Sequence, residues 1–349
     1  MKSTNFRNNF TKIIISIIVL FIANHAYSQD SKSFRAKSGD GIYSVLKENG
    51  YSAIEYLDQF IELNKSKLGK NNTLITGREY FLPPKAAQVK VEVQNVEKSV
   101  NQPTKFVNEI FGPKYREVTL KNKCLSNAVF YLMSGHGGPD PGAIGNLNGH
   151  KLCEDEYAYD VTLRLARNLI ECGASVYMII RDPNDGIRDE PYLTPDKDEV
   201  CFPNSEISLS QLARLRQSTN AVNELYAKNK GKFQRLVVIH VDSRSTRESI
   251  DVFFYHDKAS NNGKNLANTL MQTFEQKYAM HQPNRGYSGS VSERNLYVIK
   301  NAYPSSVFIE LGNINHFRDQ QRFIVPDNRQ AVANWLRDGL IADFNKSLK

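Results

Sequence analysis

Apolar residues fall into short unbroken runs separated by polar, glycine-marked stretches. The runs Val129–Met133, Ser175–Ile180, Leu236–His240 and Val307–Leu311 have the length of buried strands. Between them the period changes to that of helices. From Glu154 to Glu171 one stripe carries Ala158, Val161, Leu165, Ala166 and Leu169, and Cys172-Gly173 ends it. Helical segments are also expected at Ser208–Lys228, Gly263–Tyr278 and Gln330–Asn345. Ser249–Tyr255 alternates like a strand, and Leu296–Ile299 reads as a further short one. Strands alternating with helices predict an α/β fold, a mostly parallel or mixed twisted sheet flanked by helices. Residues 183–207, rich in Pro, Asp and Glu, read as an inserted loop.

Ahead of this domain, which starts at residue 111, the pattern is different. Residues 33–84 give strand, helix, helix, strand, turned by Ser38-Gly39-Asp40-Gly41 and closed by Pro83-Pro84. Residues 85–110 are polar without a period and read as a linker. Residues 1–28 have the order of a secretory signal peptide. Lys2, Arg7 and Lys12 precede the apolar Ile13–Ala23, and Ala26-Tyr27-Ser28 offers small residues for cleavage.

The leader takes three positive charges from a formal +8. The mildly basic remainder suits an anionic wall polymer. No basic run is interleaved with aromatics, so no nucleic acid partner is expected. Outside the leader no run could span a membrane, so a secreted, periplasmic or cell-envelope protein is expected. The four cysteines lack a CxxC spacing, which argues against a cysteine zinc site.

The candidate chemistry gathers at strand ends. Val129–Met133 leads into Ser134-Gly135-His136-Gly137-Gly138, a histidine between glycines. Leu236–His240 also ends in a histidine, and Val307-Phe308-Ile309 leads to Glu310. In open α/β sheets ligands gather at the carboxyl ends of strands. His136, His240 and Glu310 can therefore converge although far apart in sequence. A further carboxylate comes from the start of the next helix, where Glu154 and Glu156 compete. Four residues before Ala158, Glu154 shares the sheet-facing stripe and is the preferred choice. Two histidines and one carboxylate make a catalytic zinc set with an open position for water. Glu310 is then the proton acceptor that passes the proton to the leaving nitrogen. The competing reading of Glu310 is a buried ion pair, for example with Arg181.

At these residues a resemblance becomes specific. HGGPDPGAIG, His240-Val241-Asp242-Ser243 and PSSVFIELG resemble the motifs of zinc-dependent N-acetylmuramoyl-L-alanine amidases of the Amidase_3 type, over residues 129 to about 340. Arg181 and the Arg214–Asn220 helix fall in family order. The resemblance implies Zn2+ held by His136, Glu154 and His240, with Glu310 catalytic. It implies hydrolysis of the amide between N-acetylmuramic acid and L-alanine of peptidoglycan. Met133-Ser134 and His-Val-Asp depart from the commoner Asp-Pro and His-Ala-Asn, but no ligand is lost. Residues 33–84 resemble a LysM module through KSGDGIYSV, LNKSK and LITGREYFLP, which implies glycan binding.

Peptidoglycan is thus the expected partner, and a protein activator is admitted as a second. The rival readings are a non-catalytic wall-binding protein and a zinc carboxypeptidase-like enzyme cutting within stem peptides. For the cysteines, Cys124 and Cys172 belong to the sheet's lower end, and Cys153 and Cys201 to the metal side. The expected disulfides are Cys124–Cys172 and Cys153–Cys201, with free buried thiols the alternative.

Overall fold

The computed structural model describes residues 32–37, 40–51, 53–69, 72–84 and 104–348. The chain divides into two units, residues 1–98 and 99–349. The leader at 1–28 and residues 85–103 of the expected linker lie outside the described residues.

In the first unit β1 (Ser33–Arg35) pairs antiparallel with β2 (Glu79–Phe81), and the Ile42–Glu48 and Ala53–Asn64 helices lie between them in sequence. Leu46, Phe60, Tyr80 and Leu82 form its small core. The buried Asn64 side chain locks helix to strand. It donates to the Phe81 carbonyl and accepts from the Phe81 N–H, each at 2.8 Å.

The second unit begins earlier than the linker expectation allows. β3 (Lys105–Val107) pairs antiparallel with β4 (Glu117–Thr119), so residues 105–107 belong to the domain. Next come β5 (Ala128–Ser134), the hairpin β6 (Ile144–Leu147) and β7 (His150–Cys153), and the Glu154–Glu171 helix. β8 (Ser175–Met178) returns to the sheet. The 183–207 insertion is not a plain loop. Its β10 (Val200–Cys201) pairs with both β9 (Ile180–Arg181) and β11 (Ser205–Glu206). The Gln211–Lys228 helix, β12 (Phe233–Asp242), β13 (Phe253–His256) and the Asn261–His281 helix follow. β14 (Ser290–Glu293), β15 (Ser305–Asn313) and helices Phe317–Ile324 and Pro326–Ser347 complete the chain.

The central sheet has the order β14-β13-β15-β12-β5-β8. β8, β5, β12 and β15 run parallel, and β13 joins antiparallel to β15. The central strands are apolar on both faces, as a covered parallel sheet requires. Alternate residues serve different cores. Phe130 and Leu132 face the side of the Glu154–Glu171, Asn261–His281 and Pro326–Ser347 helices. Val129, Tyr131 and Met133 face the side of the Gln211–Lys228 helix. Leu296–Ile299, expected as a strand, falls instead at the Tyr297–Asn301 helix. A four-residue apolar run has no period to separate the two forms. Val298 and Ile299 bury against the second core either way.

The expected disulfides are not formed: all four cysteines are free. Cys201 packs in the second core with Sγ 3.9 Å from Ser218 Oγ, whereas Cys153 is the residue before the Glu154–Glu171 helix. Cys172 does neighbour Cys124, and burial together with that thiol pushes its pKa up to about 11.

One buried ionic node ties the closing helix to the insertion. Asp160 Oδ2 accepts from Arg164 Nε at 2.7 Å and from Arg329 Nε at 2.6 Å. The fully buried Arg329 also donates to the carbonyls of Arg188 (2.8 Å) and Glu190 (3.0 Å). Removing one partner of such a set strands the others. Arg329→Ala is therefore expected to cost about 3–5 kcal/mol in urea unfolding. A loss below about 1 kcal/mol would show that the node contributes little.

Candidate active site

Parallel register brings the strand-end residues together. β12 lies between β5 and β15, with Ile239 opposite Ser134 and His240 opposite Glu310. Because strand side chains alternate, Val237, Ile239, Val307 and Ile309 enter the first core. His240 and Glu310 leave on the other face, with Phe308. The His240 ring stacks on Phe308, centroids 4.1 Å apart.

His136 stands two residues past the end of β5. Its ring meets that of His240 edge-on at 4.9 Å. Gly135 is required by this approach, because a Cβ there would lie 1.8 Å from His240 ring atoms. Gly142 has a second constraint. Its φ is +66°, and a Cβ would press on Glu154 Oε2 at 2.6 Å and the His136 ring at 2.8 Å.

Glu154 opens its helix and reaches over the strand ends. Oε1 lies 2.8 Å from His240 Nδ1 and accepts the Val241 N–H at 2.9 Å. Oε2 accepts the Ala143 N–H at 2.8 Å and lies 3.5 Å from His136 Nε2. One donor atom from each of His136, Glu154 and His240 lies within 4.8 Å of the others, a cluster able to hold a metal ion. Burial raises the Glu154 pKa, but His240, His136 and the Ala143 N–H outweigh it and keep the carboxyl below its ordinary range. Burial lowers the His240 pKa, favouring the neutral imidazole that binds metals.

Of the two glutamates weighed in the sequence, only Glu154 joins this cluster. Glu156 instead accepts from Arg188 at 2.8 Å and from the Asp196 N–H at 3.1 Å. Two residues given no role from sequence support His136. Asp140 Oδ2 lies 3.1 Å from His136 Nδ1, and Arg214 donates to the same oxygen. Asp140 was inside the quoted motif, but its pairing with an arginine 74 residues away leaves no local signal. The close approach of the His136 ring is the leading reason that Asp140 stays well below the usual carboxylate range.

Glu310 is 8% exposed, and its Oε2 has no hydrogen-bond partner among the described residues. The alternative ion pair with Arg181 is not formed; Arg181 donates to Asn204. Burial, then repulsion from Glu154 and Asp242, pushes the Glu310 pKa well up, while Arg294 and Arg244 oppose the shift. His136, His240, Glu310, Asp140, Arg214 and Arg294 line one cavity of about 310 Å³ with Ile180, Ile207, Leu215 and Phe308. The other described histidines stand apart: His150 stacks on Tyr192, His281 stacks on Trp335, His256 Nδ1 meets the Asp257 carbonyl, and His316 precedes the Phe317–Ile324 helix. Beside the cluster, burial lifts Glu199 to about 7 and Asp155 to about 8.

The second unit is similar to known proteins. The family model for N-acetylmuramoyl-L-alanine amidase, Amidase_3, matches residues 131–342. A germination-specific N-acetylmuramoyl-L-alanine amidase of Bacillus subtilis (strain 168) is 25% identical over 227 residues, covering 64% of this chain and 82% of the relative. Among solved structures, the CwlD amidase of Clostridioides difficile, determined in complex with the GerS lipoprotein, is 17% identical with TM-score 0.45. It covers 62% of this chain and 98% of its own. The amidase AmiC2 of Nostoc punctiforme is also 17% identical with TM-score 0.45, covering 63% and 99%. The chain belongs to the N-acetylmuramoyl-L-alanine amidase family, enzymes that hydrolyse the amide joining N-acetylmuramic acid to L-alanine in peptidoglycan.

Proposed function

We propose that this amidase uses one zinc ion, held by His136, Glu154 and His240, with Glu310 as the general base. The observation that carries the proposal is the meeting of two imidazoles and one carboxylate within 4.8 Å at the mouth of the Glu310 cavity. The donor set fits zinc, which takes nitrogen and carboxylate ligands and keeps an open position in catalytic sites. Zinc supplies Lewis acidity, polarising the scissile carbonyl and making an attacking water more acidic.

The remaining work belongs to the chain. Glu310 takes the proton of the attacking water and delivers it to the leaving amide nitrogen. Its desolvated setting makes it a stronger base than an exposed carboxylate. Asp140, held by Arg214, fixes the His136 ring through Nδ1 and leaves Nε2 for the metal. Phe308 holds the His240 ring by stacking. Arg294, across the cavity, offers positive charge to an anionic stem peptide.

We further propose that residues 1–28 direct export to the cell envelope and that residues 33–84 hold the enzyme on wall glycans. Asp40, Gly41, Leu57, Ile61, Asn72 and Leu74 contribute to a groove of about 490 Å³ in that unit, which supports the glycan reading.

Zinc analysis tests the ligand set. Glu154→Gln and His240→Ala are expected to lose the ion, while Glu156→Gln keeps close to one zinc per chain. Asp140→Asn should weaken zinc binding about tenfold or more. Zinc loss by Glu156→Gln with retention by Glu154→Gln would reverse the assignment. Glu310→Gln should keep zinc and lose roughly 10²- to 10⁴-fold in turnover on peptidoglycan. The wild-type rate should fall on the acid side, where Glu310 gains its proton, at a pH above the ordinary carboxylate range. A rate flat across that range would remove Glu310 from the role. Deleting residues 33–84 should weaken co-sedimentation with insoluble peptidoglycan and leave turnover of soluble muropeptides unchanged; equal sedimentation would reject the glycan reading.

A further inference from the structure

A second group of carboxylates lies beside the candidate zinc cluster. Asp155 and Glu156 are in the first turn of the Glu154–Glu171 helix, and Glu199 comes from the 183–207 insertion. One oxygen from each lies within 4.8 Å of the others, and all three residues are buried. Glu199 also forms a second trio with Asp182 and Asp196, so four other carboxylates lie around it.

Too little positive charge is available to them. Among the described residues, Arg188 is the only cation within ion-pair reach of these five, through Glu156 at 2.8 Å. Backbone donors satisfy some oxygens: Asp155 Oδ1 accepts the Glu156 N–H at 2.9 Å, and Glu199 Oε2 accepts the Gly138 N–H at 2.5 Å. Asp155 Oδ2 has no partner among the described residues, although Asp155 is only 1% exposed. Leaving a buried carboxylate oxygen without a donor or a cation is costly. The missing element is a positive charge at the centre of the group.

We propose that Asp155, Glu156 and Glu199, with Asp182 and Asp196, bind a calcium ion. The donors are all oxygen, with neither imidazole nor thiolate, which selects a hard cation over zinc. Several carboxylates from separate segments suit calcium, which accepts six to eight oxygens in irregular geometry; magnesium demands a near-ideal octahedron. The ion would act as a brace. Asp155 follows Glu154 directly, and Glu199 holds the N–H of Gly138 in the turn that carries His136. Calcium would therefore bind the insertion to both segments that present the zinc donors. The inference stands on its own side chains and does not need the zinc assignment.

The test uses residues 29–349, stripped of metal, given one equivalent of zinc and titrated with calcium chloride in a calorimeter. Thermal unfolding is recorded in parallel. The expected result is one calcium per chain in addition to zinc, with a melting temperature that rises with calcium concentration. Glu199→Gln should weaken calcium binding at least tenfold. Asp196→Asn, at an exposed position where loss of folding is not a concern, should weaken it as well. Both should keep their zinc. No calcium uptake by the parent, or equal uptake by parent and both variants, would overturn the proposal. Calcium that enters only by displacing zinc would overturn it too. Failure to bind zinc would count against the zinc assignment alone, because the calcium titration is read separately.

Discussion

The carboxylate of Glu154 holds the candidate active site of this protein together. It accepts backbone N–H groups from Ala143 and Val241 and contacts both His136 and His240. A buried carboxylate must be satisfied on every side, so each contact constrains a different segment. The Val241 N–H fixes the end of the central strand. The Ala143 N–H fixes the loop after the glycine turn. The helix that follows is seated by the same side chain. Moving any of these pieces by a residue would strand a charge in the interior.

Parallel register does the rest. Because β5, β12 and β15 run in the same direction, their polar ends reach the same edge. Two-residue alternation then decides which face each side chain takes. Ile239 and Ile309 fill the first core, and the next residues, His240 and Glu310, emerge toward the cleft. The packing that stabilises the sheet therefore also aims the side chains of the candidate site. The Glu310 site joins burial to an unpartnered oxygen, which is costly for stability and useful for proton transfer.

Much of this was legible in the sequence because the signals are local. A long apolar run must be buried, so a His or Glu at its end lies near a strand's end, although β12 and β15 continue past His240 and Glu310 to Asp242 and Asn313. Glu154 was selected by helical period from Ala158. The Glu154–Glu171 helix has the bounds that its apolar stripe predicts. What escaped depends on residues brought together only by folding. Asp140 meets Arg214, and Glu199 meets Asp155 and Glu156, across dozens of residues with no pattern to announce them. The Leu296–Ile299 run was too short for its period to identify it, and a helical turn buried it equally well. The cysteine pairing failed for a similar reason: being on one side of a sheet does not fix which core a side chain enters, and Cys201 entered the second one. The insertion reads as a loop over most of its length, and its two strands escaped because they are two residues each.

The most direct test of the central claim is a crystal of the zinc-loaded protein measured at the zinc absorption edge. The account predicts a single anomalous peak about 2.0–2.2 Å from a nitrogen of His136, a nitrogen of His240 and a Glu154 oxygen. It also predicts Glu310 facing that peak without binding it. A peak among Asp155, Glu156 and Glu199, with none between the two histidines, would contradict the account.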